Sequence, residues 1–133
     1  MKLNQVTVGC SDYAASVDFY RALGLAQIVD APPRYARFET SSGETFSIHQ
    51  VEAVAVGSTT IYFECNDLDG KIAQLRAIGI VMDSGPRDER WGWREARLRD
   101  PGGNVICLYR AGEYRRFPPW RTVAAPDFRA KQS

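Results

Sequence analysis

The chain has 133 residues, 44% of them hydrophobic and 25% charged, with a formal net charge of +1. That composition is ordinary for a folded domain with a buried core and excludes the disordered and fibrous classes. The near-zero charge gives no push toward nucleic acid or a membrane surface, and no apolar run reaches the roughly 20 residues of a membrane helix.

The chain starts Met-Lys-Leu-Asn-Gln-Val, which lacks the apolar core of a secretory leader. Residues 3–9 alternate as a strand, with Val6 and Val8 on one face and Gln5 and Thr7 on the other. Ser11 or Asp12 then caps a helix whose apolar face carries Tyr13, Val17, Tyr20 and Leu23. Gly24 ends it as a left-handed residue. Strands are expected at 26–30, 34–40 and 44–50, and residues 51–58 form a linker.

The pattern then repeats. At an offset of 55 residues Cys10 meets Cys65, Asp12 meets Asp67, and Arg21-Ala-Leu-Gly-Leu25 meets Arg76-Ala-Ile-Gly-Ile80. At an offset of 60, Ala36-Arg37 meets Ala96-Arg97 and Gly43 meets Gly103. The second copy therefore carries five extra residues, placed between 81 and 92. Its later strands are expected at 80–83, 93–99 and 104–110, with a charged loop over 87–92. Asp100-Pro-Gly-Gly-Asn104 makes its hairpin turn, Pro fixing φ and the glycines accepting φ > 0. The domain plan is one domain over 1–133: module one (3–50), linker (51–58), module two (59–110) and a tail (111–133), extended at its prolines.

Each module thus reads βαβββ. The expected fold is α+β, a curled and mainly antiparallel eight-stranded sheet with one helix per module packed outside. The buried face takes Phe38, Phe46 and Ile48 in module one, and Ile61, Phe63, Leu98, Ile106 and Leu108 in module two. Cys10 and Cys65 share its parity and read as small buried residues. The opposite face is polar and aromatic. Tyr35, Glu39, Glu64 and Glu95 lie on it, together with the candidate ligand-binding residues. These are Gln5, Thr7, Arg37, Ser47 and His49 from module one, and Thr60, Tyr62, Trp93, Arg97, Cys107 and Tyr109 from module two. Curling of the two copies would turn this face into a cup. A solvated sheet face is the simpler alternative.

The elements Val6-Thr-Val-Gly-Cys-Ser-Asp12, Ser16-Val-Asp-Phe-Tyr-Arg-Ala-Leu-Gly24, Phe63-Glu-Cys-Asn-Asp-Leu-Asp69 and Asp100-Pro-Gly-Gly-Asn104 resemble the vicinal oxygen chelate superfamily of glyoxalases, bleomycin resistance proteins and extradiol dioxygenases. The resemblance covers about residues 3–110 and leaves the tail unmatched. It implies an open cavity, often completed by dimerisation, and in the enzymes one divalent metal that chelates two substrate oxygens and stabilises charge there. It puts the metal ligands at Gln5, Ser47, Thr60 and Cys107. Gln is an accepted ligand at the first position. Ser47 and Thr60 are neutral hydroxyls, and Cys107 is a soft ligand as thiolate or a plain buried thiol.

Other residues carry open alternatives. His49, the sole histidine, is a polar wall residue or a ligand; a displaced Gln5–His49–Glu64 metal site would be widely spread. Arg37 and Arg97 grip an anion or pair with Glu39 and Glu95. Trp91 and Trp93 stack on a planar ligand or plug an interface. The Arg115–Arg121 stretch covers the cavity or docks on a partner subunit. No nucleophile–base–acid constellation is assignable. Cys10, Cys65 and Cys107 are odd in number, far apart and in no C-x-x-C pair, which predicts free thiols in a reducing cytoplasm. The reading is a metal-free, cytoplasmic, homodimeric protein that binds a small, partly aromatic molecule, without cofactor, nucleic acid or membrane. The alternative is a metal-dependent lyase, isomerase or dioxygenase with an atypical ligand set.

Overall fold

The computed structural model describes residues 1–128; residues 129–133, the end of the expected tail, lie outside the described residues. Module one comprises β1 (Gln5–Cys10), α1 (Tyr13–Leu23), β2 (Ala26–Ala31), β3 (Tyr35–Glu39) and β4 (Thr45–Gln50). Module two comprises β5 (Thr60–Glu64), α2 (Leu68–Ala77), β6 (Ser84–Asp88), β7 (Arg94–Arg99) and β8 (Val105–Arg110). A short 3-10 helix spans Gly112–Arg115.

The α+β repeat is as expected, and its hydrogen bonding divides the eight strands into two sheets. Their orders are β1-β4-β3-β2 and β5-β8-β7-β6. In each, the first strand runs parallel to the last and the other pairings are antiparallel. Among the described residues no helix is long and apolar enough to cross a membrane.

The two helices start and stop by the same local chemistry. Asp12 and Asp67 cap them, each carboxylate accepting a backbone N–H at 3.1 Å, from Ala15 and Gly70 respectively. Both end on a glycine at positive φ, Gly24 at 109° and Gly79 at 92°, a conformation that favours a residue without Cβ. Leu25 and Ile80 then donate back to Tyr20 and Leu75 carbonyls. That use of Ile80 explains a correction. The apolar run at 80–83 reads as a strand, but its first residue closes the helix, and the paired edge strand is the Ser-Gly-Pro-Arg-Asp segment that follows. Pro is tolerated there because one side of an edge strand needs no ladder bonds. The register of β6 against β7 shifts between Ser84 and Arg87. The N-terminal strand also starts later than expected, at Gln5, leaving Leu3 exposed.

One core cluster contains the apolar faces of both sheets and both helices. Tyr20 lies fully buried in it, with ring centroids 4.5 Å from Phe46 and 5.9 Å from Phe38. Phe46 in turn meets Phe63 of module two edge-on at 5.6 Å. The Tyr20 hydroxyl donates to Asp100 Oδ2 at 2.6 Å, which ties α1 to the second hairpin turn. Val6, Ile61, Phe63 and Cys65 are only partly buried, because β1 and β5 are edge strands.

Candidate functional site

Strand register sets out the polar face of module one in rows. Thr7, Ser47, Arg37 and Val29 form one row; Gly9, His49, Tyr35 and Ala31 form the next. Ser47 is fully buried beneath the longer side chains around it and is the hub. Gln5 Nε2 donates to its Oγ at 2.7 Å, and the Tyr35 hydroxyl lies 2.7 Å away on the other side. Arg37 Nε donates to the Tyr35 oxygen at 2.9 Å. Hydrogen bonds from Ser47 and then Arg37 hold the Tyr35 phenol below its ordinary pKa. Gln5, Thr7, Arg37 and His49 remain exposed, so this face is open.

The equivalent face of module two is filled by its own side chains. Trp93 precedes β7 rather than lying on it, and its ring stacks on Tyr109 at 4.7 Å and 20°. Tyr62 meets both rings edge-on. Beneath them Glu95 is 5% exposed and Cys107 is 0% exposed. Glu95 accepts from Trp91 Nε1 at 2.6 Å and from Arg97 at 3.1 Å, and Cys107 Sγ lies 3.5 Å from it. Burial, and then the Glu95 carboxylate, push the Cys107 thiol up to about 12. Thr60 stands half-buried at the start of β5.

The tail closes one side of this face instead of running extended throughout. Glu64 Oε2 accepts the N–H groups of Ala111 and Gly112 at 2.9 and 3.1 Å, and Trp93 Nε1 donates to the Tyr114 carbonyl at 3.4 Å. A Cβ on Gly92 would meet the Tyr114 ring at 2.0 Å, at a φ of +88°. Gly92→Ala is therefore expected to cost about 1–2 kcal/mol from backbone strain alone and to displace Tyr114. Faster hydrogen exchange of the Glu113–Phe117 amides would register it; unchanged exchange would count against the tail being held here.

The two polar faces belong to two separately hydrogen-bonded sheets. Among the described residues no hydrogen bond, ion pair or ring contact joins a candidate side chain of one module to a candidate side chain of the other. A cleft of about 1060 Å³ runs along β1 and β5. Val6, Phe46, Ile61 and Phe63 contribute to its apolar lining, and Gln5, Tyr62 and Tyr109 line it together with charged residues that include Glu44, Glu64, Lys71 and Arg115. Of the eleven candidates, those three border the cleft; Thr7, Arg37, Ser47 and His49 belong to the open face, and Thr60, Trp93, Arg97 and Cys107 to the filled one. The candidate set omitted Tyr35 and Glu95. The repeat itself carries the signal for both: they occupy equivalent positions, one residue pair before the equivalent arginines.

The model of the Glyoxalase/Bleomycin resistance protein/Dioxygenase superfamily matches residues 2–108. The chain is a member of that superfamily. A relative, the uncharacterised protein YraH of Bacillus subtilis (strain 168), is 29% identical over 126 residues, covering 83% of this chain and 98% of YraH. The lactoylglutathione lyase of Agrobacterium tumefaciens shares the fold with a TM-score of 0.73 at 20% identity, over 87% of this chain and 97% of that one. A superfamily protein from Nocardioides gives 0.72 at 21% identity, over 92% and 89%. At these identities the structural likeness speaks for the fold.

The residues at the superfamily's metal-ligand positions do not fit a divalent ion. Gln5 is spent on its neighbours, its amide nitrogen on Ser47 and its oxygen on the Thr45 hydroxyl. Ser47 and Thr60 are neutral hydroxyls. Cys107 is a buried thiol whose ionisation is opposed by the adjacent carboxylate. The described residues bring no three His, Cys, Asp or Glu side chains together as a metal-holding group. Arg97 makes the expected pair with Glu95, whereas Arg37 turns to Tyr35 and not to Glu39.

Proposed function

We propose that this superfamily member binds a small, partly aromatic molecule without a metal ion, as a cytoplasmic homodimer. The observation that carries the reading is the cleft of about 1060 Å³, lined by apolar side chains, by Gln5, Tyr62 and Tyr109, and by charged residues that include Glu44, Lys71 and Arg115. Concave sites with this mixture suit a ligand that buries a flat apolar body and fixes its orientation through a few hydrogen bonds. The donor set at the ligand positions supports the metal-free part. A thiol held protonated and two hydroxyls engage a hard divalent ion poorly. Exposed Tyr62, at 47%, and the half-exposed edges of β1 and β5 give a second copy apolar surface to cover.

Native mass spectrometry of protein purified without chelator is the test. It is expected to show a dimer, no stoichiometric Mn, Ni, Fe or Zn, and a retained small molecule or none. Ligand addition is expected to quench tryptophan fluorescence, since Trp93 stacks on Tyr109, which lines the cleft. One bound metal per chain, or an activity that chelators abolish, would favour the enzymatic alternative and overturn the metal-free reading.

A further inference from the structure

The internal repeat allows each residue of module one to be compared with its counterpart in module two. Tyr35 corresponds to Glu95, Arg37 to Arg97 and Ser47 to Cys107, all at the offset of 60. The registers agree: Tyr35 faces His49 and Arg37 faces Ser47, as Glu95 faces Tyr109 and Arg97 faces Cys107. In module two the guanidinium has its countercharge, with Arg97 Nη2 3.1 Å from Glu95 Oε1. In module one the residue at the carboxylate's place is a neutral phenol.

Arg37, though exposed, is oriented by Tyr35. Its Nε donates to the Tyr35 oxygen, and its guanidinium carbon sits 5.5 Å from the centroid of the same ring. Its two terminal nitrogens have no partner among the described residues, and no carboxylate lies within ion-pair distance. Glu39 lies further along the same face and forms no ion pair among the described residues. Glu44 is turned into its own hairpin, accepting from Thr40 and Ser42. Asp30 takes the Tyr13 hydroxyl. Thr7 offers a hydroxyl in the same row, and Val29 an apolar side chain across from it.

We infer that the open face of module one is a binding site for the carboxylate of a small molecule, with the two terminal nitrogens of Arg37 gripping its two oxygens. The ligand supplies the negative charge that Glu95 supplies in the other module. A planar guanidinium fixed through Nε presents two parallel donors at carboxylate spacing. Tyr35 is the positioning residue: it holds Arg37 and, being neutral, leaves its charge available. The small or apolar side chains of Val29 and Ala31 flank the site and tolerate an aromatic body. This face lies outside the cleft, Gln5 alone of the candidates reaching both, so the carboxylate site goes beyond the function proposed there.

Two probes of nearly the same shape test it: benzoate, and neutral benzyl alcohol. Each is titrated into the full chain by NMR. Wild type is expected to bind benzoate more tightly than benzyl alcohol, with shifts on β3 and β4 and weakening at high salt. Arg37→Gln removes an exposed charge and is expected to weaken benzoate by about tenfold or more, and benzyl alcohol hardly at all. Tyr35→Glu copies module two into module one. It is expected to cause the same selective loss while Arg37 is still present, and its thermal unfolding checks that it is folded. Equal benzoate affinity in wild type and Arg37→Gln overturns the inference, as does equal affinity for the two probes. Equal affinity leaves the function proposed for the cleft standing and removes the carboxylate site on the open face. Failure of wild type to bind benzoate also overturns the inference, and the native mass measurement then decides the function separately.

Discussion

Replacing Asp100 by Ala is expected to destabilise the fold by about 3–5 kcal/mol, read as a fall in the urea midpoint with an unchanged slope. Asp100 is 5% exposed, and its carboxylate answers four donors. Oδ1 accepts the backbone N–H groups of Gly102 and Asn104 at 3.0 and 2.8 Å; Oδ2 accepts the Asn104 amide at 2.8 Å and the Tyr20 hydroxyl at 2.6 Å. Alanine removes the acceptor from all four; the Asn104 amide keeps its bond to the Gly9 carbonyl, the two half-buried backbone N–H groups of the turn lose theirs, and the Tyr20 hydroxyl is left unpaired in the core. A typical domain has about 5–15 kcal/mol of stability in total, so this one side chain governs a large share. Tyr20→Phe removes one donor and leaves the turn intact, with an expected cost of about 1–2 kcal/mol. The double variant then isolates the link between modules: if Tyr20 and Asp100 act through their shared bond, the two losses add to more than the combined loss by about 1 kcal/mol or more. Strict additivity would mean that Asp100 stabilises its own turn alone.

That bond shows what a sequence conceals. Asp-Pro-Gly-Gly-Asn is legible as a turn because its residues satisfy a local requirement. The partner of Asp100 is 80 positions away, and nothing local announces it. The same division runs through the chain. Caps, glycine stops and the offset repeat were legible because each depends on neighbours within a few residues. The strand at 84–88 was not, because pairing with β7 overrides the poor strand propensity of Gly85 and Pro86. Face membership followed from alternation, so the polar residues of each sheet were grouped correctly. Whether they join into one cup depends on how two modules pack, which alternation does not encode. Alternation also could not tell an open face from a filled one. Whether Arg37 pairs with Glu39 or with Tyr35 is settled by rotamers and distance, although comparison of Tyr35 with Glu95 in the repeat would have flagged the difference in charge.

Cys107 decides between the two chemistries the fold family offers, and its titration is expected to show which one this chain uses. Burial and the Glu95 carboxylate raise the thiol from 9.0 to about 12. Above about pH 9 the unfolded chain releases this proton and the native state keeps it, so the native state binds more protons. Stability is then fully present below the unfolded value and falls as pH rises toward the folded one, at up to about 1.4 kcal/mol per pH unit. Cys107→Ser keeps a small donor beside Glu95 and does not titrate. Between pH 8 and 10.5 the wild type is expected to lose about 2 kcal/mol more than this variant, by urea titration at each pH. Cys10, Cys65 and the tyrosines are common to both proteins and cancel in the difference. Reactivity gives a second readout. At pH 8 about one Cys107 side chain in ten thousand is thiolate, so iodoacetamide is expected to label half-exposed Cys65 well before it. A thiolate poised to hold a metal would do the opposite, reacting readily in metal-free protein and showing no excess alkaline loss. That outcome would restore Cys107 to the ligand position its place on β8 suggests. The carboxylate 3.5 Å from its sulfur argues against it, because that anion would repel the thiolate a metal requires.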